Sequence, residues 1–169
     1  MTATTVLQSE PKESEIDTGI ERNARLELAG YLSESLANTY LLYVKTQGVH
    51  WNVVGPMFYG LHKMTEEQYQ DLAEAVDEIA ERIRAIGFPA PASFVQFLKL
   101  GSIREETGTP HVEEMISQLI EGNDICSRKL RKGALEAERL EDIKTVDLLT
   151  DRVGKHEENA WMLRSLLAE

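Results

Sequence analysis

Between Met57 and Ile86 the apolar positions Leu72, Val76, Ile79, Ile83 and Ile86 step by four and three residues, the period of one long amphipathic helix. An earlier stripe of Leu32, Leu36, Tyr40 and Tyr43 keeps the same period and predicts a helix running toward His50, with Gly48 weakening its last turn. Gly55-Pro56 separates the two, and Gly87-Phe88-Pro89-Ala90-Pro91 ends the second. Thr109 as N-cap and Pro110 in the first turn open a third helix through Val112, Met115, Ile116 and Leu119, which Gly133 is expected to close. A fourth is predicted from about Lys144 to Leu167. With no alternating strand pattern, internal repeat or phosphate-binding glycine loop, the expected fold class is all-α. Residues 1–21 are polar and aperiodic and read as a flexible N-terminal tail, leaving residues 22–169 as one helical domain.

The chain of 169 residues is long enough for one proper core and shows no second composition regime. No apolar run approaches the ~20 residues that span a bilayer. The start Met1-Thr2-Ala3-Thr4-Thr5 has no basic, hydrophobic signal segment, so a cytoplasmic protein without membrane association is expected. Cys126 is the only cysteine, which excludes an intrachain disulfide and a Cys-x-x-Cys motif and suits a small packed residue.

Candidate chemistry concentrates in His50, His62, Asp77 and Glu81. Asp77 and Glu81 lie one turn apart on one helix face. His62 precedes Asp77 by fifteen residues, which at ~1.5 Å rise per residue puts them roughly 22 Å apart along the axis. They cannot share a ligand sphere within one chain. Fifteen steps of 100° nevertheless return to almost the same face, so a second copy packed antiparallel across a two-fold axis would bring its Asp77 and Glu81 to His62. Two imidazoles and two carboxylates suit Fe(II) better than calcium or magnesium, with zinc as the competitor. Taken singly, each residue also fits an ordinary surface or capping position.

Other metal motifs are absent. No histidine has Glu three positions before it, which argues against a di-iron centre inside the bundle. His156-Glu157 lacks the second histidine of a His-Glu-x-x-His zinc site, because Ala160 stands there. His156 is expected to be structural and His111 a surface residue.

The words around the four ligands are more specific than the ligands alone. His50-Trp51-Asn52-Val53-Val54-Gly55, Phe58, His62 and Asp77-Glu78-Ile79-Ala80-Glu81-Arg82-Ile83, with ligand spacings of twelve, fifteen and four, resemble the Dps family, the mini-ferritins named for DNA protection in starved cells. The resemblance runs from about Arg22 to Leu167 and includes the closing stretch from Lys155 to Arg164. It implies a ferritin-like four-helix bundle with a short extra helix, Ser93 to Leu100, in the crossover between the second and third long helices. It also implies a homo-oligomer, a hollow dodecamer with ferroxidase sites at its two-fold interfaces, His50 and His62 coming from one subunit and Asp77 and Glu81 from the other. Fe(II) would be oxidised there, with hydrogen peroxide the preferred oxidant over dioxygen, and stored inside as Fe(III) mineral, protecting against oxidative damage. Glu66 would support a second iron or a bound water, and Trp51 resembles the aromatic residue beside such sites.

Asp142, Asp147 and Asp151 match the spacing of acidic residues lining three-fold pores in the family and would form an ion entrance. Asp147 and Asp151 share a helix face, whereas Asp142 joins them only if it precedes the helix. Glu67 and Glu74 could seed mineral on the inner wall, though a solvated face explains them equally well. DNA binding is not expected. The tail sets Lys12 against Glu10, Glu13, Glu15, Asp17 and Glu21, the C-terminus carries no basic extension, and the net charge is −11, so little phosphate neutralisation is on offer.

Overall fold

The computed structural model describes residues 16–168, so the first fifteen residues of the expected tail lie outside the described residues. Five helices follow: α1 (Arg22–Asn52), α2 (Phe58–Ala85), α3 (Phe94–Leu100), α4 (Val112–Arg139) and α5 (Ile143–Leu166). No strand occurs among the described residues. Each long helix turns an apolar stripe inward: Leu28, Leu32, Leu36 and Leu42 from α1, Leu61, Leu72, Ile79 and Ile83 from α2, Ile116, Leu119 and Leu130 from α4, and Leu149 and Leu163 from α5. Together they form an all-α bundle, the class expected from the periodicity, with the ferritin-like arrangement that the family resemblance implies.

Side-chain pairs give the helix directions. Lys45 donates to Gln118 and Glu34 pairs with Lys129, so α1 and α4 are antiparallel. Arg152 pairs with Asp71 and Arg82 with Asp142, so α2 and α5 are antiparallel too. The short link from Val53 to Met57 makes α1 and α2 antiparallel, and α2 therefore runs parallel to α4. A parallel pair needs a connection that returns along the whole bundle. Residues 86–111 make that return, with α3 midway and fastened to α1 by Phe97 stacked on Tyr40 at 4.6 Å between centroids. Ser93 caps α3, its hydroxyl accepting from the Gln96 amide at 3.3 Å.

Two boundaries differ from the sequence reading. Gly133 does not close the third helix: α4 continues to Arg139, and a Cβ at Gly133 would stand 2.9 Å from Leu149 Cδ1 and 3.5 Å from Tyr31 Cβ. The glycine lets α4 approach α5 and α1 closely and ends nothing. Gly48 lies inside α1, which passes it to reach His50 as expected and runs on to Asn52. The N-cap of α4 is His111 and not Thr109, and it makes no side-chain cap bond; Glu113 and Glu114 in the first turn face the positive end of the helix instead.

The α4–α5 corner is tight. Asp142 N–H donates to Ala137 O at 2.9 Å and Glu141 N–H to Glu138 O at 3.0 Å, with Glu141 in the left-handed region at φ +58°. This corner presents Asp142 as the N-cap of α5, its carboxylate accepting from the Thr145 amide at 3.1 Å.

Candidate metal centre

His50 sits in the last turn of α1 and His62 just after the first turn of α2, and the short link folds one onto the other. Gly55 takes φ +96° in that link, a conformation that favours glycine. The two imidazoles stack with centroids 3.9 Å apart and planes 14° from parallel. Their hydrogen bonds are reciprocal: His50 Nδ1–H donates to the His62 carbonyl and His62 Nδ1–H to the His50 carbonyl, each at 2.9 Å. Carbonyls only accept, so both rings carry their proton on Nδ1 and keep an Nε2 lone pair. Backbone support of this kind fixes the tautomer a metal-binding histidine needs.

Aromatic neighbours hold the pair from both sides. Phe58 stacks on His62 at 5.0 Å and the edge of Tyr69 meets His50 at 5.1 Å. Glu66, one turn beyond His62, is close enough to feel both imidazoles, and its carboxyl is held below the ordinary value first by a hydrogen bond from Lys63 and then by that ammonium's charge. The Lys63–Glu66 pair at 2.7 Å is solvent-exposed and screened, so it opposes a stronger cation only weakly.

Asp77 and Glu81 are exposed on α2, one turn apart, and come nowhere near the histidines of their own chain. Among the described residues of the single chain, no three His, Cys, Asp or Glu side chains come together to hold a metal ion. One subunit thus presents two half-sites: a preorganised imidazole pair at one end of α2, and a carboxylate pair roughly 22 Å along its axis.

The acidic series divides. Asp147 and Asp151 are exposed on one face of α5, Asp147 in a loose exposed pair with Lys144. Asp142 is buried: Arg82 Nη2 donates to both its oxygens at 2.7 Å and Thr145 Oγ1 donates at 2.7 Å, while Arg82 Nε donates to Thr145 Oγ1 at 2.7 Å. Burial pushes the Asp142 carboxyl up, but the hydrogen bonds from Arg82 and Thr145 and the Arg82 charge outweigh it and hold it below the usual carboxylate range. Glu67, Glu74, His111 and Trp51 are exposed. Cys126 is packed in the core, where burial pushes its thiol up to about 12, far from nucleophilic.

His156 lies at the centre of the bundle, its Nδ1–H donating to Asn123 Oδ1 at 2.8 Å. Burial, aided by the Arg152 charge and opposed by Asp71, pushes its pKa down to about 3. The folded protein thus resists protonating a group that the unfolded chain protonates near pH 6.5. Its neutral form contributes in full above about pH 6.5, and stability falls from there toward pH 3 at about 1.4 kcal/mol per pH unit, roughly 2 kcal/mol by pH 5. His156→Gln keeps a donor toward Asn123 and cannot titrate. Thermal unfolding at pH 7 and pH 5 should show a smaller drop for the variant than for the parent; equal drops would assign the acid limb to other groups.

The family model describing a ferritin-like domain matches residues 29–169. A low temperature-induced protein of Nostoc sp. is 38% identical over 154 residues, 90% of this chain and 86% of that protein. DNA protection during starvation protein 2 of Bacillus anthracis is 36% identical over 80% of this chain and 93% of its own length. The chain belongs to the Dps family. The solved structure of the Dps protein from Vibrio cholerae, a member of a broad superfamily of ferritin-like diiron-carboxylate proteins, superposes with a TM-score of 0.85 at 31% identity, covering 90% of this chain and 97% of that one. The edge contact of Tyr69 with His50 carried no sequence signal, since it depends on two helices meeting.

Proposed function

We propose that this Dps-family chain is an iron-storing ferroxidase whose sites are completed between subunits of a hollow dodecamer, limiting oxidative damage by removing Fe(II) and peroxide. The observation that carries the reading is the His50–His62 pair, with both Nε2 lone pairs committed to no partner and with Asp77 and Glu81 out of reach on the same helix. A two-fold mate would supply them. The surface for such a mate is at hand: Trp51, Val54, Phe58 and Tyr59 beside the histidines and Phe94, Val95 and Leu98 on α3 are exposed apolar side chains. Of these, Trp51, Val54, Phe94 and Leu98 line a groove of about 860 Å³ between α1, α3 and residues 104–113. Contiguous exposed apolar area of this kind marks an interaction face.

In this reading Fe(II) is substrate. Asp77 and Glu81 offset its charge while neutral His50 and His62 ligate it, and acidification weakens binding as protons compete for the imidazoles. One peroxide accepts two electrons, so two Fe(II) oxidised together cleave its O–O bond to two hydroxide equivalents and release no hydroxyl radical. Glu66, one turn beyond His62, would serve the second iron once Lys63 yields it. Zinc fits the same ligands without redox chemistry and would act as a competitor. Stopped-flow oxidation of Fe(II) by peroxide and by dioxygen, on assemblies sized by ultracentrifugation, tests the reading; a dodecamer that oxidises no faster than buffer would end it.

Asp147 and Asp151 are assigned to ion entry, where three copies around an axis would concentrate cations. Asp147→Asn with Asp151→Asn should leave the shell assembled and slow iron uptake several-fold at low ionic strength, the difference shrinking as salt screens the entrance. Uptake indistinguishable from the parent across a salt titration would return both to an ordinary acidic surface.

DNA is not assigned as a partner. At physiological salt and without divalent metal, the assembly should cause no mobility shift of duplex DNA, because the net charge of −11 per chain offers few counterion-releasing contacts. Protection from iron-driven nicking should survive deletion of residues 1–21 and disappear with His50 and His62. Tight, salt-sensitive binding by the intact protein would overturn this.

A further inference from the structure

Along the seam between α2 and α5, three polar atoms on buried side chains find no hydrogen-bond partner: Gln68 Nε2, Arg152 Nε and His156 Nε2. Helix pairing brings them together. Arg152 gives its two terminal nitrogens to the Asp71 carboxylate at 2.9 and 2.6 Å, so position 152 of α5 stands opposite position 71 of α2. The helices are antiparallel, so one turn back along α2, at Gln68, faces one turn forward along α5, at His156. The charges of both Arg152 and Asp71 act on the His156 ring, as closeness requires. Arg152 Nε, left over from the Asp71 pairing, belongs to the same level.

The chemistry of the three atoms selects an occupant. Asn123 Nδ2 donates to the Leu119 carbonyl at 2.8 Å, which leaves Asn123 Oδ1 facing the His156 ring and puts the ring proton on Nδ1. His156 Nε2 is therefore an acceptor, while Arg152 Nε–H and the Gln68 amide nitrogen are donors. A cation would meet two N–H groups and a guanidinium charge. A halide would meet the imidazole lone pair, which burial keeps unprotonated. A molecule that accepts two hydrogen bonds and donates one satisfies all three atoms, and three is the usual number for a buried water. Should the Gln68 amide be reversed, a water still fits, donating to both Gln68 and His156. Ser35 Oγ, also unpartnered, lies apart on α1, where rotation lets a serine hydroxyl reach the carbonyl four residues back.

We propose that Gln68, Arg152 and His156 bind one resident water that bridges α2 to α5 inside each subunit. The water completes the polar seam that Asp71–Arg152 and Arg82–Asp142 begin, and it holds His156 in its neutral, Nδ1-protonated form. It is a structural ligand distinct from the iron that the proposed ferroxidase handles.

Crystal structures of the assembled protein, one from chelator-treated and one from Fe(II)-soaked crystals, test this directly. The expected result in both is a single peak refining as oxygen, about 2.7–3.2 Å from all three side chains, with no anomalous signal. Gln68→Leu should lose the peak while the helices stay in place; if that variant does not fold, the parent maps decide alone. An anomalous peak, side chains paired directly with each other around no density, or a peak retained at full occupancy in Gln68→Leu would each overturn the three-point water site.

Discussion

His62→Ala and Asp77→Ala should each abolish rapid Fe(II) oxidation, and mixing the two inactive proteins under reassembling conditions should restore about a quarter of the parent rate. The fraction follows from symmetry. In a mixed dimer one site takes His62 from the Asp77→Ala chain and Asp77 from the His62→Ala chain, and is intact; the other lacks both. Random reassortment makes about half of the dimers mixed, and half of their sites work. Each single variant should lose on the order of 100-fold or more, because even a supporting residue around a metal ligand is worth 10–100-fold. Stopped-flow traces of the single and mixed preparations give the comparison. Mixed dimers confirmed by mass spectrometry yet inactive would mean that histidines and carboxylates do not meet across a two-fold axis.

Much of this design is local and therefore legible along the chain. The steps of four and three in α2 predict its length, Gly55-Pro56 the break before it, and the fifteen residues from His62 to Asp77 their separation, because each depends only on neighbours in sequence. What was not legible depends on contacts between helices. Gly133 reads as a terminator until Leu149 and Tyr31 are seen to leave no room for a Cβ. Asp142 reads as a pore acid on condition that it precedes the helix, which it does as N-cap, and its withdrawal from the series shows only when Arg82, sixty residues earlier, takes up its carboxylate. The same holds for Arg152 with Asp71 and for the environment of His156, whose neighbours come from three different helices. The histidine pair is intermediate. Its residues stand out in sequence, but the reciprocal carbonyl bonds that set both tautomers exist only once α1 has folded back on α2.

Asp142 gives the sharpest separation between scaffold and entrance. Asp142→Ala should destabilise the folded protein by about 3 kcal/mol, since removing one partner of a buried ion pair strands the other charge and the N-cap of α5 is lost as well. Arg82 retains 16% side-chain exposure and Asp142 only 4%, so partial hydration of the stranded guanidinium places the loss toward the lower end for a buried pair. By contrast, Asp147→Asn and Asp151→Asn should stay within about 0.5 kcal/mol of the parent, as exposed positions do. The pH dependence has a definite sign. A carboxyl held below its ordinary value contributes stability in full above the unfolded value near 3.9 and loses it as pH falls through the lowered one. The gap between parent and Asp142→Ala should therefore be full at pH 7 and close only in strong acid. Arg82→Ala should cost a similar amount, and the double variant should cost clearly less than the two losses added together, because neither charge is then stranded. Thermal and urea unfolding across pH supply these numbers. If Asp142→Ala were as stable as the parent and instead slowed iron uptake as Asp147→Asn and Asp151→Asn are expected to, Asp142 would belong to the pore after all.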